Sequence, residues 1–327
     1  MIRHITVILF LSLSCSWLLA QDSAPEEKVL IEQIPGTDVS FSMTYIPAGS
    51  FMLGSPESEE NRNDDEGPQQ EVSMNAFWMG TYEVSYEMYE LFMDIDKDSD
   101  TSLTDVSYDK EIVTRPSPPY EDPTFGMGKY GYPAGSMTQY AALQFCKWLS
   151  EKTGHFYRLP TEVEWEYACK AGSTTAYYFG DDPEDLDDYA WYYENSDGVY
   201  HKLGEKEPNA FGLYDMLGNV AEWTLDQYQS EYYSQLTSDN PTGHPWALPT
   251  RLHPRTVKGG SYDDDPEWLR SSARLMSNMA WKARDPQIPK SFWWNTDSPF
   301  VGLRLVRPAG EITQAQKDAF WGIALDE

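Results

Sequence analysis

The sequence predicts an α+β chain, and three observations carry that expectation. Helical apolar periods open on capping residues, other segments alternate apolar and polar side chains, and a stretch rich in proline and glycine separates the two kinds. With 327 residues, 40% of them hydrophobic and 14% aromatic, the chain can bury one large core or two small ones. No internal repeat and no clean linker divides it.

Arg3 and His4 precede an apolar run from Ile5 to Leu13, and Leu18-Leu19-Ala20 leads into the polar Gln21. This is the layout of a signal peptide over 1–20, cleaved after Ala20, so the mature chain is expected to be exported, periplasmic or extracellular. The run is shorter than the ~20 residues of a bilayer span, and no later segment is longer, so no membrane span is expected. Lipid attachment at Cys15 is the less favoured reading, because Ser12 stands three positions upstream where a leucine is usual.

A polar tether is expected over 21–39, a folded domain over 40–308 and a tail over 309–327. SFSMTYIPAGSFMLG, from Ser40, reads as a hairpin turning at Pro47-Ala48-Gly49. A strand near Ala76–Met79 precedes a helix capped by Ser85. Asp94, Asp96, Asp98 and Asp100 alternate as in a calcium loop, but Ser99 replaces the required glycine and Asp105 the usual glutamate, so a solvated acidic loop is expected. Pro116, Pro118, Pro119 and Pro123 forbid helix in the next stretch. Thr138 caps a helix with apolar face Ala141, Ala142, Phe145, Trp148 and Leu149, stopped by Gly154; Thr161 and Glu164 form the capping box of another, ended by Gly172. VKGGSY and FVGLRLVRP read as the last strands. The tail could form a helix with a stripe through Ile312, Ala315, Ala319, Phe320 and Ile323. Cys146 and Cys169 lie within helical patterns and are expected to be free thiols.

Lys+Arg number 24 against Asp+Glu 53, a net charge of −29. Such a balance argues against nucleic acid and anionic membranes as partners and leaves cations as the sharper reading. One stretch concentrates the question. PNAFGLYDMLGNVAEW, Pro208 to Trp223, joins turn formers and aromatics to two separated carboxylates. Its apolar residues ask for burial, and a buried carboxylate then needs a partner. Asp215 and Glu222, with carbonyls of the Gly-Asn turn between them, would suit calcium; a turn pinned by arginine pairs is the alternative.

Taken together, FMLGS, RLPTEVEWEYA, NAFGLYDMLGNVAEW, KGGSYDDD and GLRLVRP resemble the formylglycine-generating enzyme (sulfatase-modifying factor) family, in the family's order from about Met43 to Pro308. The resemblance implies that family's α+β fold, related to C-type lectin-like domains and low in regular secondary structure. It implies a structural calcium held by the side chains of Asp215 and Glu222 and the carbonyls of Gly218 and Val220. It also implies an oxidase that uses a cysteine pair to hold copper(I). The first of that pair falls at Asp264, and no cysteine follows Cys169, so copper is not expected: carboxylates do not stabilise copper(I) as soft sulfur does. In the resemblance Cys146 and Cys169 match structural cysteines, with Leu305 where one disulfide partner would stand. His155, His201, His244 and His253 are too scattered for an iron site, and Ser261 lacks the context of a hydrolase nucleophile.

Two readings follow. In one, the chain is a non-catalytic member that binds a peptide, glycan or partner protein in the family's groove, lined by Ser261, Asp263, Asp264, Asp265, Arg274, Trp293 and Trp294. In the other, it is an enzyme of altered chemistry in which Asp264 binds a hard metal or acts as acid and base. A solvated turn is the bland alternative for the aspartate triplet.

Overall fold

The computed structural model describes residues 25, 27–98, 114–236 and 245–325. The signal segment, Asp100 and Asp105 lie outside them. Three small sheets hold the architecture. The first runs β1 (Val29–Gln33), β2 (Ser40–Ile46), β5 (Phe77–Gly80), β10 (Val306–Pro308), all antiparallel. The second pairs β3 (Gly49–Leu53) with β4 (Gln70–Met74). The third has the order β8 (Leu275–Met276), β7 (Arg255–Lys258), β6 (Ala221–Gln227), β9 (Val301–Gly302), with β6 and β9 parallel.

Several expectations change here. The tether carries β1, whose Val29–Gln33 pairs with Thr44–Ser40 of β2. The Ser40–Gly54 segment is no hairpin, because β2 and β3 enter different sheets. The cause is a corner: Tyr167 donates its hydroxyl to the Pro47 carbonyl at 2.9 Å, and its ring lies so close to Gly49 that a Cβ there would meet the hydroxyl at 2.6 Å. FVGLRLVRP is likewise split between β9 and β10, so that Arg304 sits in the connection and reaches inward.

The helices follow their caps. α1 (Tyr86–Met93) opens on Ser85, α2 (Gln139–Thr153) on Thr138 and α3 (Glu162–Lys170) on Thr161, each hydroxyl accepting a backbone N–H. α2 ends at left-handed Gly154 and α3 at left-handed Ala171, one residue before the expected glycine. Short turns α4 (Leu186–Tyr189) and α5 (Tyr232–Gln235) follow, and α6 (Gln314–Ala324) closes the described chain. α6 is rotated from the expected stripe: Trp321 and Ala324 are buried while Ala315, Ala319 and Ile323 face out, because Phe320 and Trp321 pack on Phe156.

Among the described residues two large apolar clusters fill the interior, one around α1, α2 and α6, the other around α3, with a small third at Tyr200, Val220 and Tyr262. α3 is buried on every side, so its acids need partners. Glu162 meets Arg274 at 2.6 Å and Glu164 meets Arg158 at 2.6 Å; Glu166 meets Lys170 at 2.8 Å and Lys258 at 3.2 Å. Asp98 corrects the picture of a solvated acidic loop. It is fully buried, bonded to Lys152 Nζ at 2.6 Å, Trp148 Nε1 at 3.1 Å and Arg115. Cys146 and Cys169 are free and buried, one in each large cluster. Among the described residues no helix is long and apolar enough to cross a membrane.

Candidate functional site

The loop from Pro208 to Trp223 is internal and firmly anchored. Asn209 donates its amide to the carbonyls of Ala168 and Cys169 at the end of α3, while its Oδ1 accepts the N–H groups of Phe211 and Leu213. Asp215 and Asn219 both take positive φ, 53° and 51°. Gly218 is the position where glycine is obligatory: φ is 75°, and a Cβ would lie 2.1 Å from the Trp191 carbonyl. β6 then runs inward with all seven residues buried.

The structure brings Asp215 and Glu222 into one buried cluster and adds two groups that the motif reading missed, Glu83 and Arg304. Arg304 Nε donates to Glu222 Oε1 at 2.8 Å and Oε2 at 3.0 Å, and the Trp165 indole donates to Oε2 at 2.7 Å. The same guanidinium reaches the carbonyls of Gly80, Tyr214 and Asp215. Asp215 Oδ2 accepts the Gly204 N–H at 2.7 Å. Glu83 accepts the Asn219 amide at 2.8 Å and the Val220 N–H at 2.9 Å. Glu222 therefore has the arginine partner that was the alternative to calcium. Yet three carboxylates stand against one guanidinium, and the excess is felt. Burial, with Asp215 and Glu222 nearby, pushes Glu83 well above the usual range, and burial pushes Asp215 up to about 6. Both Glu222 oxygens are taken by Arg304 and Trp165, and among the described residues no three His, Cys, Asp or Glu side chains are grouped to hold a metal ion. One signal of Arg304 was in the sequence: a lone cation inside FVGLRLV has to find a buried partner.

The KGGSYDDD turn follows β7. Gly259 and Gly260 have φ of 96° and 66°, turning the chain so that Ser261 Oγ donates to Asp264 Oδ2 at 2.6 Å. Asp264 is half-buried, and burial raises its carboxyl. Asp263 and Asp265 are exposed, as a solvated turn requires. Tyr193, 61% exposed, gives its backbone N–H to the Asp264 carbonyl, and Trp268, 37% exposed, gives its own to the Asp265 carbonyl. Sequence reading missed these two aromatics beside the turn.

Ser261, expected to line the groove, is itself fully buried beneath the turn, and three more expected groove residues are elsewhere. Arg274 is fully buried, bidentate on Glu162 and lying over the rings of Tyr228 and Tyr233 at 4.9 and 4.6 Å. An arginine in that setting neutralises α3 and is out of reach of a ligand. Trp293 packs against Tyr140 and Phe92, and Trp294 is buried against Tyr89, its indole donating to the Ser117 carbonyl. Both complete the first apolar cluster, because their size outweighs what a surface groove would offer them.

Over residues 32–308 the chain matches the sulfatase-modifying factor enzyme 1-like domain. The chain belongs to that family. It is 28% identical over 260 residues to the formylglycine-generating enzyme of Mus musculus, covering 67% of this chain and 66% of that one. It is 27% identical over 260 residues to the serine/threonine-protein kinase pkn1 of Chlamydia caviae, covering 77% of this chain and 38% of the kinase. Among solved structures, PvdO from Pseudomonas aeruginosa superposes with a TM-score of 0.61 and 27% identity, over 85% of this chain and 100% of its own. The chain spans two thirds or less of the length of these two curated relatives. The fold is therefore the family's, and the motifs that carry the resemblance sit where that fold needs them: RLPTEVEWEYA builds α3, GLYDMLGNVAEW the internal loop and β6, and GLRLVRP the Arg304 connection.

Proposed function

We propose that this chain is a non-catalytic member of the family that recognises a peptide, glycan or partner protein at the Asp264 turn. One observation carries the reading. At the position matching the family's first catalytic cysteine stands Asp264, held by Ser261 at 2.6 Å. Among the described residues Cys146 and Cys169 are buried in separate clusters and do not form the adjacent pair of soft sulfur ligands that copper(I) needs. What the turn does offer is recognition chemistry. The exposed Tyr193 and Trp268 supply stacking faces, and Asp263, Asp264 and Asp265 supply acceptors for hydroxyl, amide or ammonium groups.

Incubation with a sulfatase-type cysteine peptide, copper and oxygen should give no aldehyde product by mass. Binding to peptide or glycan arrays should be lost in Asp264→Ala at unchanged melting temperature. An aldehyde that disappears on Cys146→Ala or Cys169→Ala would refute the reading.

A structural calcium belongs to the same proposal, held by Asp215, Glu222 and the carbonyls of Gly218 and Val220. Its support is the excess of carboxylates over Arg304. The ion would supply positive charge to a buried cluster and tie the loop to β6. Export is the third part, supported by the charged start, short apolar run and small residue at Ala20. The mass of the mature N-terminus checks it, and a chain that retains residues 1–20 would contradict it.

A further inference from the structure

The tail forms a cavity with the body of the domain that the family motifs do not account for. It is an open cleft of about 360 Å³ between the end of α2, the end of β10 and the start of α6, with Gly154, His155, Phe156, Arg307, Gly310 and Lys317 on its wall. Its three cationic or protonatable side chains come from three separate segments: His155 after α2, Arg307 in β10 and Lys317 in α6. On a chain of net charge −29 such a convergence is unusual, because most of the surface repels anions.

We propose that this cavity binds a tetrahedral oxyanion group, phosphate or sulfate, through His155, Arg307 and Lys317. The opposing charges are two. Glu32 of β1 pairs with Arg307 and lies 3.9 Å from His155 Nε2, and Glu311 lines the cavity from the loop before α6. Among the described residues Lys317 has no carboxylate partner; its Nζ donates to the Gly154 carbonyl at 3.5 Å and it lines the cavity. His155 senses the outcome. Burial lowers its pKa first, and the Arg307 and Lys317 charges add a positive field that Glu32 opposes. An oxyanion seated there would reverse that field and favour the imidazolium. The basic groups come from the residue after Gly154 at the end of α2, from β10 and from α6, so the site exists only with the tail docked through Phe320 and Trp321 on Phe156.

The test follows the His155 ring by NMR in the full-length protein, its signal assigned with His155→Asn. Inorganic phosphate and sulfate are each titrated against chloride at equal ionic strength. The expected result is a saturable rise in the His155 pKa of about one unit, weakened about tenfold in apparent affinity by Lys317→Met and strengthened by Glu311→Gln. The Glu311→Gln arm keeps the test valid if Lys317→Met disturbs the tail, since removing an exposed acid leaves the packing untouched. Rise with both anions supports the proposal; rise with one supports it and names the group. A His155 titration identical in phosphate, sulfate and chloride would overturn it, as would a response indifferent to both substitutions.

Discussion

Arg274→Met separates a structural arginine from a ligand-binding one. In the structure Arg274 Nε and a terminal nitrogen grip the two oxygens of Glu162 at 2.6 and 3.0 Å, and the remaining N–H groups reach the carbonyls of Asp65 and Gln229. Both side chains are fully buried. Removing the cation leaves a charged carboxylate without its counterion in the interior, a change that costs about 3–5 kcal/mol. For a chain of this length ~1 kcal/mol moves the melting temperature by about 2 °C, so a fall of roughly 6–10 °C is expected. Pairing the change with Glu162→Gln removes the stranded charge and should recover part of the loss, a coupling that a double-mutant cycle reads directly. Thermal unfolding by circular dichroism, backed by urea midpoints at constant slope, measures both effects. A fall below about 1 °C, or a double variant no better than the single one, would refute the assignment. Loss of ligand binding at unchanged stability would return Arg274 to the groove.

Chelation of the purified protein should lower its melting temperature, since an ion bound only by the native state stabilises it by mass action; no calcium on elemental analysis together with an unmoved transition would leave Glu222 to Arg304 and Trp165 alone. The Glu166 carboxyl predicts an acid dependence. Burial by itself would raise it, but Lys170 and Lys258 outweigh burial and hold it down at about 2, below its usual 4.5. A carboxyl lowered in the folded state contributes stability above pH 4.5 that is lost as the pH falls towards 2, on the order of 3 kcal/mol. Lys258→Met should therefore flatten the stability profile between pH 4.5 and 2, and an unchanged slope there would count against the pairing.

Much of this molecule was legible in local chemistry. Ser85, Thr138 and Thr161 announce three helices because a hydroxyl followed by the right apolar period has one good use. The internal character of the Pro208–Trp223 loop follows from its own residues, and so does the need of Asp215 and Glu222 for partners. Which partners they find is set by residues far along the chain. Glu83 lies in the turn after β5, and Arg304 in the gap between β9 and β10, and no spacing rule links either to the loop. The same distance misled the reading of Arg274, Trp293 and Trp294, since a cation and two aromatics after a family motif look alike whether they face a ligand or a buried helix. Asp98 shows the limit most clearly. Its neighbours are acidic and polar, and only the fold brings Lys152 and Trp148 of α2 against it.

The acids of α3 have a consequence for how the domain opens. Their counter-charges come from four places: the residue before β8, the segment before α3 itself, the last turn of α3, and the end of β7. A helix wired in this way has no cheap partial release, because freeing Arg274 or Arg158 strands a carboxylate in a dry interior and freeing Lys258 leaves Glu166 to Lys170 alone. Hydrogen exchange at the amides of α3 should then proceed only by a single large opening that also frees β7, whereas α6, held by a few aromatic rings, can detach and return on its own. The cavity built with α6 would come and go with it, while the Asp264 turn, continuous with β7, would persist until the whole domain unfolds.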